Sequence, residues 1–463
     1  MLRLREAKRH AMAAITTISP FPNEFFQHLD AQKNQALQGA GWLDTLHQDA
    51  YAKFLQLGLP TRKHEAWKYI DLKPLLSTPF QSVGQDKAAL ESSLEPSLEP
   101  SDLAAYQLSD HPNRLVFVNG QLVPSLSQTP SLGNAKLLSV QDALTQCPDV
   151  MESLWRQTLD QTEDAFVALN TALFSEGWVL WVPKNTSLTD NQGIHILWIS
   201  TQGETAPEAA YTRGVIALEE GAKAQVTLDF IGLSSHLYLN APVLDVKADA
   251  NSKLDLRLIQ SEGTNGFHLA ATHLHQAKGS EINVHCLAFG SHTSRHHLEV
   301  TLSGEHATCR MNGLSLISGN SAVYRHIVVN HPVGHCVSEQ LFKGIINDQA
   351  RSEFDGTIVV GKGANGTDAT QLNKNLLLSG QARVFTRPQL QIDTDDVKCA
   401  HGATVGQLEE EELFYLLSRG LDKHTAQNLL TFGFAEEVID RIVSEPLRER
   451  LTHRLLSTLK QGN

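Results

Sequence analysis

Cys399 and His401 are the two side chains in this sequence whose types and spacing bear most directly on chemistry. They sit in the run Asp395-Asp396-Val397-Lys398-Cys399-Ala400-His401-Gly402-Ala403-Thr404-Val405-Gly406, where strand-like sequence gives way to helix. A thiolate and an imidazole are both transition-metal ligands. On an extended chain side chains repeat every second residue, so these two project from the same side and can face one point. Two donors are too few, because tetrahedral sites take four and open catalytic ones keep three. Any metal or cluster held here must draw its other ligands from elsewhere in the fold or from another chain. The spacing alone does not separate this reading from a small buried thiol beside a hydrogen-bonded imidazole. Asp395 and Asp396 are placed to orient the imidazole through its second nitrogen or to tune the thiolate.

Histidine supplies a second set of candidate ligands. Eleven of the 21 histidines lie between His268 and His335, among them His273 and His275, the adjacent His296 and His297, and His331 and His335 beside Cys336. Such density invites a metal reading. On strands, however, adjacent residues face opposite sides, and solvated or hydrogen-bonded imidazoles are the reading favoured for most of them. Stacked coils could still align histidines into a ladder. Gly361, Gly363 and Gly366, after Ile358-Val359-Val360, spell the letters of a dinucleotide fingerprint. That motif needs its third glycine to open a helix whose N-terminus binds pyrophosphate. Here Thr367-Asp368-Ala369-Thr370 leads to Gln371, Asn373 and another strand-like run, so a turn is predicted instead. The sequence holds no Gly-x-x-x-x-Gly-Lys-Ser/Thr phosphate loop, and no nucleotide is expected to bind this chain.

The elements that must position these residues follow from patterning. With 463 residues and 41% hydrophobic content the chain is long enough for two or three domains with a sizeable core. A net charge of −13 argues against a nucleic-acid surface as the main business. The five cysteines are odd in number and widely spaced, which points to a reducing, cytoplasmic setting rather than a disulfide framework. No stretch has the apolar length of a membrane span.

Residues 1–20, with Arg3, Arg5, Lys8 and Arg9, read as a flexible leader, with Met12 an alternative start. Residues 21–110 read as an N-terminal helical domain, from Phe25, Phe26 and Leu29 through Phe54 and Leu55, ending in a linker where Ser-Leu-Glu-Pro is written twice. Trp67 and Tyr69 are read as anchors to a core rather than ligand contacts. Residues 111–400 read as the β core. Asn119-Gly120 marks a hairpin, a helical interlude spans roughly 140–174, and alternation then runs from Trp178 to Ile392. Turn clusters at Gly221-Ala222, Asn251-Ser252 and Gly279-Ser280 recur at about 28–30 residues, a period that suits a β-helix, with a β-sandwich as competitor. Residues 401–463 read as a helical domain that caps the end of the solenoid by covering its exposed strand edges, with a stop at Gly420, an N-cap at Asp422 and Pro446 opening the last helix.

From Phe354 onward the sequence strongly resembles SufD subunits of the SUF iron–sulfur cluster assembly scaffold, in the SufB/SufD family. The motifs are Phe354-Asp355-Gly356, Thr367-Asp368-Ala369 with Gln371, Leu376-Leu377-Leu378-Ser379, Pro388-Gln389-Leu390, Asp395 to Gly406, and Leu413-Phe414-Tyr415-Leu416 with Ser418-Arg419-Gly420. Pro60-Thr61-Arg62, Glu65, Trp67, Lys68 and Tyr69 echo the family upstream. Ala400 stands where serine is commoner, and Gln391 where glutamate is. The resemblance implies a mainly β protein, a right-handed parallel β-helix flanked by helical domains. It implies a non-catalytic scaffold that pairs with SufB through β-helix ends and binds the SufC ATPase through its C-terminal helices, with Leu413, Phe414, Tyr415, Leu416 and Arg419 in that region. It places Cys399 and His401 at the SufB junction, where a transient iron–sulfur cluster forms, with iron delivery as a related role. A reduced flavin in the assembled complex and a homodimer in isolation are compatible with it. The alternative is a β-helix or β-sandwich metalloenzyme with a histidine-lined site, acting on a carbohydrate.

Overall fold

In the computed structural model, residues 29, 33, 36–39, 41–82, 103–130, 132–189, 191–201, 207–233 and 235–461 are described. The leader, Phe25 and Phe26, and the Ser-Leu-Glu-Pro run lie outside them. The alternating segments pair in parallel: Lys223–Gly232 with Lys253–Ser261, and onward through Glu281–Ala288, Thr308–Ile317, Val337–Ile346 and Thr367–Leu377 to Val397–Gly406. Facing residues in this ladder are 27 to 31 positions apart, as Glu281 to Thr308 and Val337 to Asp368 illustrate. The intervening strands, from Thr212–Leu218 to Arg383–Ile392, build a second parallel ladder. The product is a parallel β-solenoid of about seven turns, with an 11-stranded and a 12-stranded sheet. Strand pairing one coil ahead excludes the sandwich.

Each coil turns a corner with one left-handed residue. Gly221, Asn251, Gly279, His306, His335 and Gly366 occupy equivalent positions, all with φ between 58° and 70°. A Cβ on Gly366 would meet His335 Nδ1 at 2.5 Å, so this corner needs glycine on both counts. Gly363, with φ 82°, lies in the turn between Arg351–Val360 and Thr367–Leu377, and a strand rather than a helix follows the glycine run. Asn119 and Gly120, both with positive φ, close the expected hairpin.

The lumen is filled by apolar side chains in columns, such as Val226, Leu256, Val284 and Met311. The outer face of the 12-stranded sheet is covered by helices from two segments, Gly41–Leu57 and the interlude helices Val140–Gln146, Pro148–Gln161 and Ala165–Leu173. Trp67 is buried there, 5.3 Å from the Phe166 ring, and Arg295 lies 3.9 Å over it. This layer is pinned by a fully buried ion pair. Arg213 contacts Asp245 at 2.7 Å and donates to Thr171 Oγ1 at 2.7 Å, while Thr158 donates to Asp245 Oδ1 at 2.6 Å. Arg213→Ala leaves a buried carboxylate without its cation and is expected to cost about 3–5 kcal/mol, read as a lower denaturant midpoint. Arg213→Met with Asp245→Leu removes both charges and is expected to recover most of that loss.

The helical tail differs from a cap. Its second and third helices, Lys423–Ile439 and Glu445–Gln461, pack Ala435, Val438, Ile439, Leu451 and Leu455 against Ile259, Leu287, Leu314 and Ile345 on the outer face of the 11-stranded sheet. Arg450 pairs with buried Asp229, and Arg454 donates to Ser261 Oγ at 2.7 Å. The tail therefore covers a side of the solenoid, and the last coil is left open. The final strand also runs through His401 to Gly406, beyond the boundary expected at residue 400. Apolar residues at i, i+3 and i+4 reveal that a helix buries a face, but not which surface receives it.

Candidate functional site

Val397–Gly406 ends the 11-stranded sheet and Arg383–Ile392 ends the 12-stranded one. Each is ten residues long and has one strand neighbour among the described residues, so each presents an open edge. Alternation puts Val397, Cys399 and His401 on one face. Val397 and Cys399 pack against the lumen cluster, and His401 lies in register with buried Gln371. Cα atoms two apart on a parallel strand are about 6.6 Å apart, so both side chains reach one small object at the mouth of the lumen.

The lumen changes character as it approaches this mouth. Below His401 the column reads Gln371, Gln340 and then Met311. Gln371 Nε2 donates to Gln340 Oε1 at 3.1 Å, while Gln371 Oε1 and Thr386 Oγ1 are buried without a hydrogen-bond partner among the described residues. These glutamines were missed from sequence, although the coil period would have aligned them with His401.

Cys399 is half-buried, and burial pushes its thiol pKa up, with the Asp368 carboxylate adding to the effect and a backbone hydrogen bond at Ala369 opposing it. A thiol so placed is a weak nucleophile alone and becomes a ligand when a metal displaces its proton. His401 is exposed. Among the described residues neither Asp395 nor Asp396 hydrogen-bonds to it. They sit exposed in the preceding turn, where the Val397 amide donates to the Asp395 carbonyl and the Gly366 amide to that of Asp396. The remaining thiols are free; Cys286 and Cys309 are buried in the lumen, and burial raises the Cys286 thiol to about 11.

The tail's first helix, Glu410–Ser418, packs on the second and buries none of its side chains. Leu413 and Leu416 are half-buried, Arg419 lies 5.2 Å over the Tyr415 ring, and Phe414 and Tyr415 are 71% and 57% exposed. An aromatic pair this open on one helix is unusual unless something covers it.

The clustered histidines are mostly inside. Only His306 and His335 of the eleven are exposed, at left-handed corners with rings stacked at 5.4 Å. Hydrogen bonding accounts for several others, including His331 to Ser338 at 2.9 Å and His296 to Thr272 at 3.0 Å. Solvation does not.

Fold and site together define a β-solenoid protein with a thiol and an imidazole side by side on its open last coil. Residues 199–434 match the family described as SUF system FeS cluster assembly, SufBD core domain, and residues 23–194 match the SufBD protein N-terminal region. An iron–sulfur cluster assembly SufBD family protein of Synechocystis is 32% identical, over 92% of this chain and 94% of its own length. The iron–sulfur cluster assembly protein SufD of Escherichia coli is 31% identical, over 90% and 93%. The chloroplastic protein ABCI7 of Arabidopsis thaliana is 24% identical, over 95% and 91%. The chain belongs to the SufBD family of iron–sulfur cluster assembly proteins and is SufD-like. Among the described residues no helix is long and apolar enough to cross a membrane.

Proposed function

We propose that this chain is a non-catalytic scaffold subunit that pairs with a SufB partner through the open end of its solenoid and binds a SufC ATPase through its tail. At the seam Cys399 and His401 supply part of the donor set for a nascent cluster, as cargo rather than resident cofactor, and the partner supplies the rest. Acceptance of iron at the same donors precedes cluster formation. The observation that carries this reading is the last coil, which holds two open strand edges and, on one face, a thiol and an imidazole of the types that ligate metals. Edge strands are templates for pairing with another chain, and proteins that remain alone blunt them. ATP-driven approach of docked ATPases would strain the tails and open the seam to iron and sulfur.

Co-expression with SufB and SufC relatives, followed by subunit composition and iron and sulfide analysis, tests the proposal. A stoichiometric complex that accumulates iron and sulfide is expected; an isolated chain that neither joins the partners nor alters their cluster content would sink it. Phe414→Asp is expected to weaken ATPase capture about 30-fold or more, the effect of a hot-spot aromatic. Because Phe414 is exposed, thermal stability should stay within about 0.5 kcal/mol. Unchanged capture by calorimetry would move the docking surface elsewhere.

A further inference from the structure

A second group of donors lies on the outer face of the other sheet, beneath the helical layer. His273 comes from Gly266–Gln276, and His297 and Glu299 from its neighbour Thr293–Leu302; pairing sets His273 opposite Glu299. His273 Nδ1 is 3.6 Å from Glu299 Oε2 and His297 Nε2 is 3.7 Å from the same oxygen. One donor atom from each of the three falls within 4.8 Å of the others.

Both imidazole–carboxylate separations exceed hydrogen-bond reach, which ends near about 3.2 Å. They are close to the donor–donor edge around a four-coordinate ion with bonds of about 2.1 Å, which is roughly 3.4 Å. Two of the three donor separations are thus those of ligands around one ion.

The surroundings fix two of these groups from behind. His297 Nδ1 is 2.8 Å from His326 Nδ1, and His326 Nε2 faces Asp355 Oδ2 at 3.7 Å, a charge neighbour rather than a hydrogen-bond partner. Arg387 Nε in turn donates to Asp355 Oδ1 at 3.1 Å. The second oxygen of Glu299 accepts from Asn330 Nδ2 at 3.2 Å. A ligating histidine is ordinarily held this way, through its other nitrogen. His273 and His297 are buried and Glu299 half-buried, so one side of the group remains reachable. His273 Nε2, the nitrogen facing away from Glu299, is buried without a hydrogen-bond partner among the described residues.

We infer that His273, His297 and Glu299 form a three-ligand site for one divalent transition ion of the Zn2+ or Fe2+ class, with an open fourth position. Two imidazoles and one carboxylate suit such ions and disfavour Mg2+ and Ca2+, which take oxygen shells. The site is separate from Cys399 and His401, which sit on the lumen side of the opposite sheet, and it does not depend on the assembly role proposed above.

The test uses the full chain, free of any affinity tag and stripped with chelator, titrated with Co2+ in visible absorption and with Zn2+ in calorimetry. One equivalent is expected to bind, with the d–d absorption of a low-coordinate Co2+ site. Glu299→Gln and His297→Ala should each weaken binding at least 100-fold, and His326→Gln about 10- to 100-fold, as for a residue acting through a ligand. The Cys399→Ala, His401→Ala double variant should keep the equivalent. Circular dichroism verifies folding; if His297→Ala fails to fold, the near-isosteric Glu299→Gln decides. No stoichiometric uptake by the parent chain, or uptake unchanged in Glu299→Gln, would overturn the inference. So would loss of the equivalent in the Cys399, His401 variant.

Discussion

In a complex reconstituted with SufB and SufC partners, His401→Ala is expected to lower cluster formation at least about tenfold while leaving subunit stoichiometry intact. The side chain is exposed on the last strand and makes no hydrogen bond among the described residues, so its removal costs the fold little. Under the role proposed for the seam, what it removes is a donor from a set that this chain alone leaves short. Cys399→Ala should act in the same direction with a small loss of packing, since its thiol touches the lumen cluster. Lys398→Ala, on the opposite face of the same strand, should be silent. The readout is cluster absorbance together with bound iron and acid-labile sulfide. Full assembly by His401→Ala in a complex of normal composition would contradict the role given to the seam.

Acidification should unfold the isolated chain unusually early. Burial holds His195, His285 and His331 at about 4, well below the ordinary value for imidazole. Above pH 6.5 all three are neutral whether the chain is folded or not, and they contribute nothing to pH dependence. Below it the unfolded chain takes up protons that the folded chain refuses, so stability rises with pH between about 4 and 6.5. At pH 5 each histidine accounts for roughly 2 kcal/mol, or roughly 6 kcal/mol for the three. That is comparable with the whole stability of a typical domain. Urea midpoints measured from pH 7.5 to 5 test this, and His285→Gln should flatten the profile by about a third. A profile flat across that range would show that these rings titrate freely.

Much of the architecture is legible in the amino-acid sequence. Alternation around Val226 and Leu256 and the recurring small residues at Gly221, Asn251 and Gly279 carried the coil period, because side-chain direction in a strand is local. Placing Cys399 and His401 on one face needed only the same rule. The later corners were hidden because His306 and His335 occupy left-handed positions usually taken by glycine or asparagine. Gln340, Gln371 and the His297–His326–Asp355–Arg387 column depend on alignment across coils of unequal length, where one residue of slip reverses every face. The tail was read as an end cap because an amphipathic helix reveals that it has an apolar side and not what covers it.

Only Gln407, Leu408 and Glu409 separate the last strand from the tail's aromatic helix. So short a tether makes that helix a handle: whatever grips Phe414 and Tyr415 also holds the outermost β-strand by its end. A strand bonded along one side can be peeled away residue by residue, whereas an interior one must break two ladders together. A pull on this handle is therefore delivered first to the coil bearing Cys399 and His401, while the braces at Arg450 and Arg454 hold the body of the rod still.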